Sequence, residues 1–298
     1  MSTEFRIESA LARGEFLASS GVITLSPLTT LHSELTRGKE SRSVVAAEGG
    51  MLMADETEPK IALVIAAHPD DPDFGAGGTA ALYTKQGWEF HYLVCTNGAK
   101  GTGDREMTRD RLVPMREQEQ RNAAETLGVK SCTFLGGEDG ELDYDRVVLG
   151  KIVREIRRLQ PHAVFTHTPE MIHHTPFRRI EGEEAEYAGA VNHRDHRNTG
   201  EMSTDAVYPT ARDHLNFPEH LAEGLETHKV REIYFWGTNE PNYSIDITDV
   251  IDQKIEALVR HESQFGARGA EFGKMVRERW KDEEDRFHER FRRVVLPF

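Results

Sequence analysis

One imidazole and two carboxylates follow directly after a short apolar segment of the chain. The segment IALVIAA spans Ile61–Ala67, and His68, Pro69, Asp70 and Asp71 come next. An apolar run of this length, bounded by polar and turn residues, is typical of a strand that is buried on both faces. In open α/β sheets, ligands bind beyond the carboxyl ends of the strands. The three polar side chains therefore form a candidate metal site, and the fixed φ of Pro69 stiffens the turn that presents them.

A second polar cluster lies far along the chain. It is the HxDH sequence of His193, Arg194, Asp195 and His196, followed by residues that can begin a helix. An HxxH pair alone is a weak signal in a chain with 14 histidines. Its position gives it weight, because it follows the fourth strand of an alternating series. The sequence therefore predicts that this cluster returns to the same sheet edge as His68.

Strand-like and helix-like segments alternate after residue 60. The predicted strands are Ile61–Ala67, Glu89–Thr96, Ser131–Leu135, Ala163–His167 and Val230–Trp236. The predicted helices are Ala76–Gln86, Leu112–Leu127, Tyr144–Leu159, Arg197–Val207 and Ile251–His261. This alternation predicts a Rossmann-like α/β fold with an open, mainly parallel sheet and helices on both faces.

Two segments differ from the alternating pattern. The loop Thr168–Asn192 is long for a compact domain, which favours a substrate lid or an oligomer contact, with a solvated insertion as the third alternative. The stretch Glu271–Arg293 is rich in charged residues and carries aromatic residues at roughly helical spacing. It predicts a solvated helix whose aromatic side packs on the domain, or alternatively an oligomer contact.

Composition excludes several classes of protein. The chain has 298 residues and a net charge of −14, which argues against a nucleic-acid surface, since such a surface needs a basic stripe. No apolar run approaches the roughly 20 residues that span a bilayer, so no transmembrane segment is expected. The two cysteines, Cys95 and Cys132, are expected to be buried free thiols in a reducing compartment. These features favour a cytoplasmic enzyme.

The first 57 residues lack the periodicity of the rest of the chain. They are expected to form a disordered N-terminal extension, and 58–298 a single domain. Met51 and Met53 stand just before the first strand, so translation from one of them is an alternative explanation of the extension.

Five motifs occur together in the order typical of one enzyme family. They are AHPDD with a GxGG turn, a TNGxxG loop, RxxE ahead of LGV, a DGEL loop and HxDH. In these motifs the chain resembles the PIG-L/LmbE-like zinc-dependent N-deacetylases. The resemblance implies removal of an acetyl group from a small N-acetylglucosamine-type substrate, with Zn²⁺ or another divalent ion as cofactor. Family members of this kind often assemble, so a homo-oligomer is a further expectation.

The resemblance also assigns roles to individual residues. It implies three metal ligands: His68, Asp71 and His196. Three protein ligands leave a position for water, whose pKa zinc lowers toward ~7. The resemblance makes Asp70 the general base, while His193, held by Asp195 or another acidic neighbour, stabilises the oxyanion or the leaving group.

Two further residues match family positions near the substrate. Arg116 resembles a residue that contacts the sugar, although it could also be a surface arginine paired with Glu119 on the same helix face. Asp139, in the DGEL loop, resembles a residue near the substrate, although an aspartate that simply forms the turn is the alternative.

Some positions depart from the family pattern. The glutamate that usually follows HPDD is replaced by Pro72, and Asp73 is the residue that could substitute for it. Arg194 stands where HxDH commonly has proline. Val191 stands where some members have a tyrosine, for which Tyr187 is a possible replacement.

Three other functions compete with the deacetylase. The sequence GAGG at Gly75–Gly78 could mark a nucleotide-binding module, but it lacks the full phosphate fingerprint and stands beside carboxylates that repel phosphate. The remaining alternatives are an amidase that acts on thiol conjugates and a family member that binds zinc without turnover.

Overall fold

A seven-stranded sheet forms the centre of the protein, seen here in a computed structural model that describes residues 59–173, 189–265 and 268–297. The strands are β1 (Ile61–Ala66), β2 (Glu89–Thr96), β3 (Ser131–Gly137), β4 (Ala163–His167), β5 (Ile172–His173), β6 (Ala190–Val191), β7 (Glu232–Trp236), β8 (Tyr243–Asp246) and β9 (His288–Val295). The order in the sheet is β3-β2-β1-β4-β7-β9-β8, and β5 pairs with β6 in a separate ribbon. In the seven-stranded sheet, β9 runs antiparallel to both of its neighbours, β7 and β8, and the other four neighbouring pairs are parallel. The prediction of a mainly parallel sheet is confirmed.

Helices cover both faces of this sheet. They are α1 (Asp71–Thr84), α2 (Arg109–Leu127), α3 (Arg146–Leu159), α4 (Arg194–Asp205), α5 (Pro218–Ala222), α6 (Ile251–Val259), α7 (Glu262–Phe265) and α8 (Gly269–Trp280). An irregular turn (Ala206–Thr210) follows α4, and a 3-10 turn (Thr248–Val250) leads into α6. No helix in these described ranges is long and apolar enough to cross a membrane.

Alternate residues of β1 pack into two separate cores. Ala62 and Val64 lie in the core that includes buried residues of α1, α2 and α6. Leu63 and Ile65 lie in the other core, together with buried residues of α3 and α4. Because side chains alternate across a strand, a fully buried apolar strand must have a covered surface on each side. The apolar run of β1 is therefore explained by its position in the sheet, with helices packed against both faces.

The prediction for the C-terminal segment is wrong for the residues after Trp280. The expected helix Glu271–Arg293 ends at Trp280, and β9 occupies the later residues. Phe287 and Phe291 are four residues apart, a spacing that fits the helical period as well as the strand period of two. In a strand, Glu289 and Phe291 point to the same side of the sheet, and both side chains are buried. This shared burial favours the strand. The short strand β8, beside β9, was not predicted.

A buried ion pair links β9 to α1 and α6. The Glu289 carboxylate accepts the backbone N–H groups of Gly78 and Thr79, each at 2.8 Å, and pairs with Lys254. The side chains of Lys254 and Glu289 are only 2% and 4% exposed. The inward-pointing glutamate of β9 is thus compensated by charge and by hydrogen bonds, as buried charges require.

Both helices that begin at the polar clusters start earlier than predicted. Helix α1 begins at Asp71 rather than Ala76. Pro72 is tolerated in its first turn, because a backbone N–H at that position would have no acceptor within the helix. Helix α4 begins at Arg194 rather than Arg197, and the His193 side chain accepts the N–H of Asp195 as an N-cap. Both clusters therefore lie at helix N-termini.

Several expectations fall outside the described residues. These are the N-terminal extension with its alternative start sites, Tyr187 and the part of the 169–190 loop that covers 174–188. The two ends of this loop are joined by Asn192, whose amide donates to the carbonyls of Thr168 and Glu170. Cys95 and Cys132 are free thiols, as expected, but only Cys95 is buried and Cys132 is half-buried.

Candidate active site

Side chains of both polar clusters meet at the carboxyl edge of the parallel strands. The Asp71 carboxylate lies at the centre, since its Oδ2 is 3.0 Å from Nδ1 of His68 and 3.3 Å from Nε2 of His196. The same oxygen accepts the backbone N–H of His68 at 2.7 Å. The structure thus brings together the three side chains that the resemblance implies as metal ligands.

A third imidazole, which was not predicted from the sequence, contacts Asp71. His167 ends β4, and its Nε2 lies 3.3 Å from Asp71 Oδ2 while its ring stacks on His196 with 4.1 Å between centroids. The indole N–H of Trp236 donates to Nδ1 of His167. Burial and the neighbouring His196 lower the pKa of His167 to about 3, so this ring is neutral. Its position at the carboxyl end of a buried strand is a signal that could have identified it.

The donor atoms of the site suit a divalent cation. Three overlapping sets of side chains in the described ranges place ligand atoms within 4.8 Å of one another: His68, His193 and His196; Asp71, His167 and His196; His68, Asp139 and Asp195. Imidazole nitrogen with carboxylate oxygen is the ligand type of zinc and related ions.

The charge around His68 also suits a cation. Burial by itself lowers the pKa of His68, but the carboxylates of Asp71, Asp139 and Asp195 outweigh it and raise the pKa to about 12. These carboxylates therefore favour positive charge at this position, and a divalent cation meets the same demand. The residues present fit a metal ion.

Asp70 lies beside this cluster and faces a different partner. Its Oδ2 is 3.1 Å from Nη2 of Arg116, and its backbone adopts φ 100°. Burial raises the pKa of Asp70 to about 6, against the opposing charge of Arg116. A carboxyl with such a pKa can accept a proton near neutral pH and release it again.

Arg116 is a buried side chain, and the alternative of a surface ion pair with Glu119 is wrong. Its guanidinium donates to the carbonyls of Pro69 and Gly98 at 2.5 and 2.9 Å, in addition to Asp70. Glu119 instead accepts hydrogen bonds from the backbone and hydroxyl of Ser263. Arg116 therefore fixes the turn that carries Asp70, and its contact with a sugar stays a prediction.

The DGEL loop reaches the site through Asp139 and through backbone hydrogen bonds to Asp195 of the HxDH cluster. Asp139 Oδ1 and Asp195 Oδ2 each lie 3.2 Å from Nε2 of His68. Asp195 also accepts the N–H groups of Gly140 at 2.6 Å and Leu142 at 3.2 Å. Asp139 is thus more than a turn-forming residue. The expectation that Asp195 holds His193 needs correction, because the first turn of α4 directs its carboxylate inward, toward His68.

His193 is exposed at the mouth of the site. Its ring centroid is 4.8 Å from that of His68, and its Nδ1 accepts the backbone N–H of Asp195 at 3.2 Å. Burial and the charges of His68 and His196 lower the pKa of His193. The neutral ring therefore carries its proton on Nε2, which makes that atom a hydrogen-bond donor.

The comparisons with known proteins agree on one family. The sequence model of the PIG-L family, described as GlcNAc-PI de-N-acetylase, matches residues 63–207, a range that contains both polar clusters. The diacetylchitobiose deacetylase of Thermococcus kodakarensis is 36% identical over 206 residues, covering 69% of this chain and 70% of that protein. A probable N-acetyl-alpha-D-glucosaminyl L-malate deacetylase of Bacillus anthracis is 26% identical over 217 residues, covering 70% and 83%.

A solved structure gives the same result for the fold. The N,N'-diacetylchitobiose deacetylase from Pyrococcus horikoshii has a TM-score of 0.67 and 30% sequence identity to this chain. The match covers 79% of this chain and 84% of that structure. A match of this extent supports the mainly parallel α/β fold described above.

Proposed function

Because the chain belongs to the PIG-L family of de-N-acetylases, we propose that it is a metal-dependent hydrolase that removes the acetyl group from an N-acetylglucosamine-type sugar. The named relatives are deacetylases of diacetylchitobiose and of N-acetylglucosaminyl malate. Since these substrates share the acetamido sugar and differ in the attached group, the shared sugar is the substrate class proposed for this chain.

The metal is proposed to be Zn²⁺, held by His68, Asp71 and His196, with another divalent ion as an alternative. The contacts of Asp71 with both imidazoles support this ligand set. A bound zinc ion supplies Lewis acidity, which lowers the pKa of a water molecule and polarises the acetyl carbonyl. His167 contacts Asp71 and stacks on His196, and Trp236 donates a hydrogen bond to His167. These contacts restrict the positions of the two proposed ligands.

Asp70 is proposed as the general base. Its carboxylate accepts a proton from the attacking water and then delivers that proton to the nitrogen of the departing amine. The pKa near 6 and the hydrogen bond from Arg116 suit both steps, because the group is mostly ionised at neutral pH and is held in one position.

His193 is proposed to stabilise the oxyanion that develops on the acetyl oxygen. Its Nε2–H is an available donor, because Nδ1 is occupied by the backbone N–H of Asp195. The inward-facing Asp195 and Asp139 are proposed to act as positioning residues, since both contact His68.

One observation carries the proposal. A buried carboxylate, Asp71, contacts imidazoles from two distant parts of the chain, and a second carboxylate, Asp70, stands beside it with a pKa near neutrality. This pairing of a metal-type donor set with a separate base is the arrangement that metal-assisted amide hydrolysis requires.

The test is amine release from a panel of N-acetylated sugars. Chelated protein is assayed with and without added zinc on N-acetylglucosamine, diacetylchitobiose and N-acetylglucosaminyl malate, with an N-acylated thiol conjugate as the fourth substrate. Zinc-dependent release from at least one sugar is the expected result. Release from the thiol conjugate alone would favour the amidase, and no release by protein with stoichiometric zinc would favour a family member without turnover.

A further inference from the structure

The peptide group between Pro69 and Asp70 is held at both of its polar atoms by helix α2. Arg116 donates to the carbonyl of Pro69 at 2.5 Å, and the side-chain oxygen of Gln120 accepts the N–H of Asp70 at 2.7 Å. Arg116 and Gln120 are four residues apart and therefore lie on the same helix face. Together they determine the orientation of one peptide plane.

This peptide plane sets the direction of the Asp70 side chain. Asp70 has φ 100° and ψ −35°, a conformation that residues with a Cβ rarely adopt. Such a conformation persists only where the surrounding structure holds it. The hydrogen bond from the backbone of Asp70 to Gln120 is one of the contacts that hold it.

The orientation of the Gln120 amide is determined by a second buried residue. Its Nε2 donates to Oδ2 of Asp73 at 2.8 Å, and the same oxygen lies 2.8 Å from Nε2 of His261. The residues Asp73, Gln120 and His261 are all 0% exposed. The Gln120 amide accepts the Asp70 N–H through its oxygen and donates to the Asp73 carboxylate through its nitrogen, and an apolar side chain of similar size could make neither bond.

We propose that Gln120, oriented by Asp73 and His261, is a positioning residue that aims the carboxylate of Asp70 at the attacking water. The inference rests on the proposed function, since it presumes that Asp70 is the general base. It also gives a role to Asp73, the residue after Pro72, which stands where a glutamate usually follows HPDD. Asp73 acts on the backbone of the base through Gln120 rather than on the metal ligands.

The first test replaces Gln120 with a residue of similar size that has no polar atoms. In the Gln120→Met variant the N–H of Asp70 loses its acceptor, and the displaced base lowers kcat by about 10-fold to about 100-fold, as small misplacements of catalytic groups do. KM and zinc content stay unchanged, because the substrate and the metal ligands keep their contacts. The matched control is Gln118→Met, on the exposed face of the same helix, which leaves kcat unchanged.

The second test exchanges donor and acceptor between the two buried residues. Gln120→Glu alone places two carboxylates against each other and lowers kcat. Adding Asp73→Asn places one amide N–H opposite the new carboxylate and the other opposite Nε2 of His261, which accepts it in the neutral ring. The new carboxylate still accepts the N–H of Asp70, so the double variant recovers kcat. Recovery by a second substitution is a result that loss of folding cannot produce.

Three results would overturn the inference. They are an unchanged kcat in Gln120→Met, a fall in kcat that is matched by an equal loss of zinc, and a double variant that stays as slow as Gln120→Glu. Absence of amine release by the unsubstituted, zinc-loaded enzyme is distinct from these, because it refutes the proposed function itself and this inference with it.

Discussion

Replacing Asp70 with asparagine tests the general base with little disturbance of the fold. Asparagine keeps the volume of the side chain and an oxygen that can accept the hydrogen bond from Arg116. It also tolerates positive φ better than alanine, which matters because Asp70 has φ 100°. The substitution therefore removes the basic carboxylate while it retains the local structure.

The expected loss follows from the surroundings of the other carboxylates. Asp71 faces imidazoles, while Asp139 and Asp195 each contact His68, so none of the three is available to replace Asp70. The full contribution of a general base is then lost, about 10²-fold to about 10⁴-fold in kcat. This loss corresponds to about 2.7 to about 5.4 kcal/mol of the activation barrier.

The assay is amine release by zinc-reconstituted enzyme, with the metal content measured on the same sample. Zinc content is expected to equal that of the unsubstituted enzyme, because Asp70 contacts Arg116 rather than the imidazoles. The matched control is Asp285→Asn, since Asp285 also has positive φ, 57°, but its side chain is 79% exposed. Wild-type turnover by the Asp70→Asn variant would remove Asp70 from the role of base, and loss of zinc would make it a metal-site residue.

Three further predictions concern the metal and the packing around the site. Removal of the metal with a chelator is expected to abolish amine release and lower Tm. Zinc added at 100 times its Kd is expected to restore both, because binding at that concentration stabilises the folded protein by about 2.7 kcal/mol. Full activity of the metal-free protein would contradict the metal dependence. Glu289→Gln leaves the buried Lys254 without its counter-ion and is expected to lower the free energy of unfolding in urea by about 3–5 kcal/mol. A loss of about 1 kcal/mol or less, as for exposed pairs, would show that the pair is not buried in solution. Gly75→Ala places a Cβ well inside van der Waals distance of the Trp236 ring and is expected to cost about 1–3 kcal/mol, with a shift in tryptophan fluorescence. Gly77→Ala is the control, since its nearest neighbour lies at 3.4 Å, and equal losses in the two variants would contradict the packing argument.

The order of strands and helices was predictable because each has a local pattern. Buried parallel strands such as β1 are continuous apolar runs, and the helices between them carry apolar residues at helical spacing. The strands β8 and β9 were missed, because β8 has only four residues and β9 carries the buried charge of Glu289. That charge is tolerated only through its contacts with α1 and with Lys254.

The sequence by itself determined which edge of the sheet holds the site. His68, Asp70 and Asp71 follow β1, and the HxDH cluster follows β4, so parallel strands bring them together without further information. The motifs also indicated the family and its chemistry. Local patterns suffice for these conclusions, because strand direction and chain order fix the edge at which each loop emerges.

Only the tertiary structure decided which side chains of the site contact one another. It placed His167 against Asp71, turned Asp195 toward His68 and buried Arg116 against the turn of Asp70. The physical reason is that such contacts join segments far apart in the sequence. Asp73 and His261 are separated by 188 positions, and no local pattern in either segment specifies the other. Their pairing depends on the packing of α1 against α6, which exists only once the chain has folded.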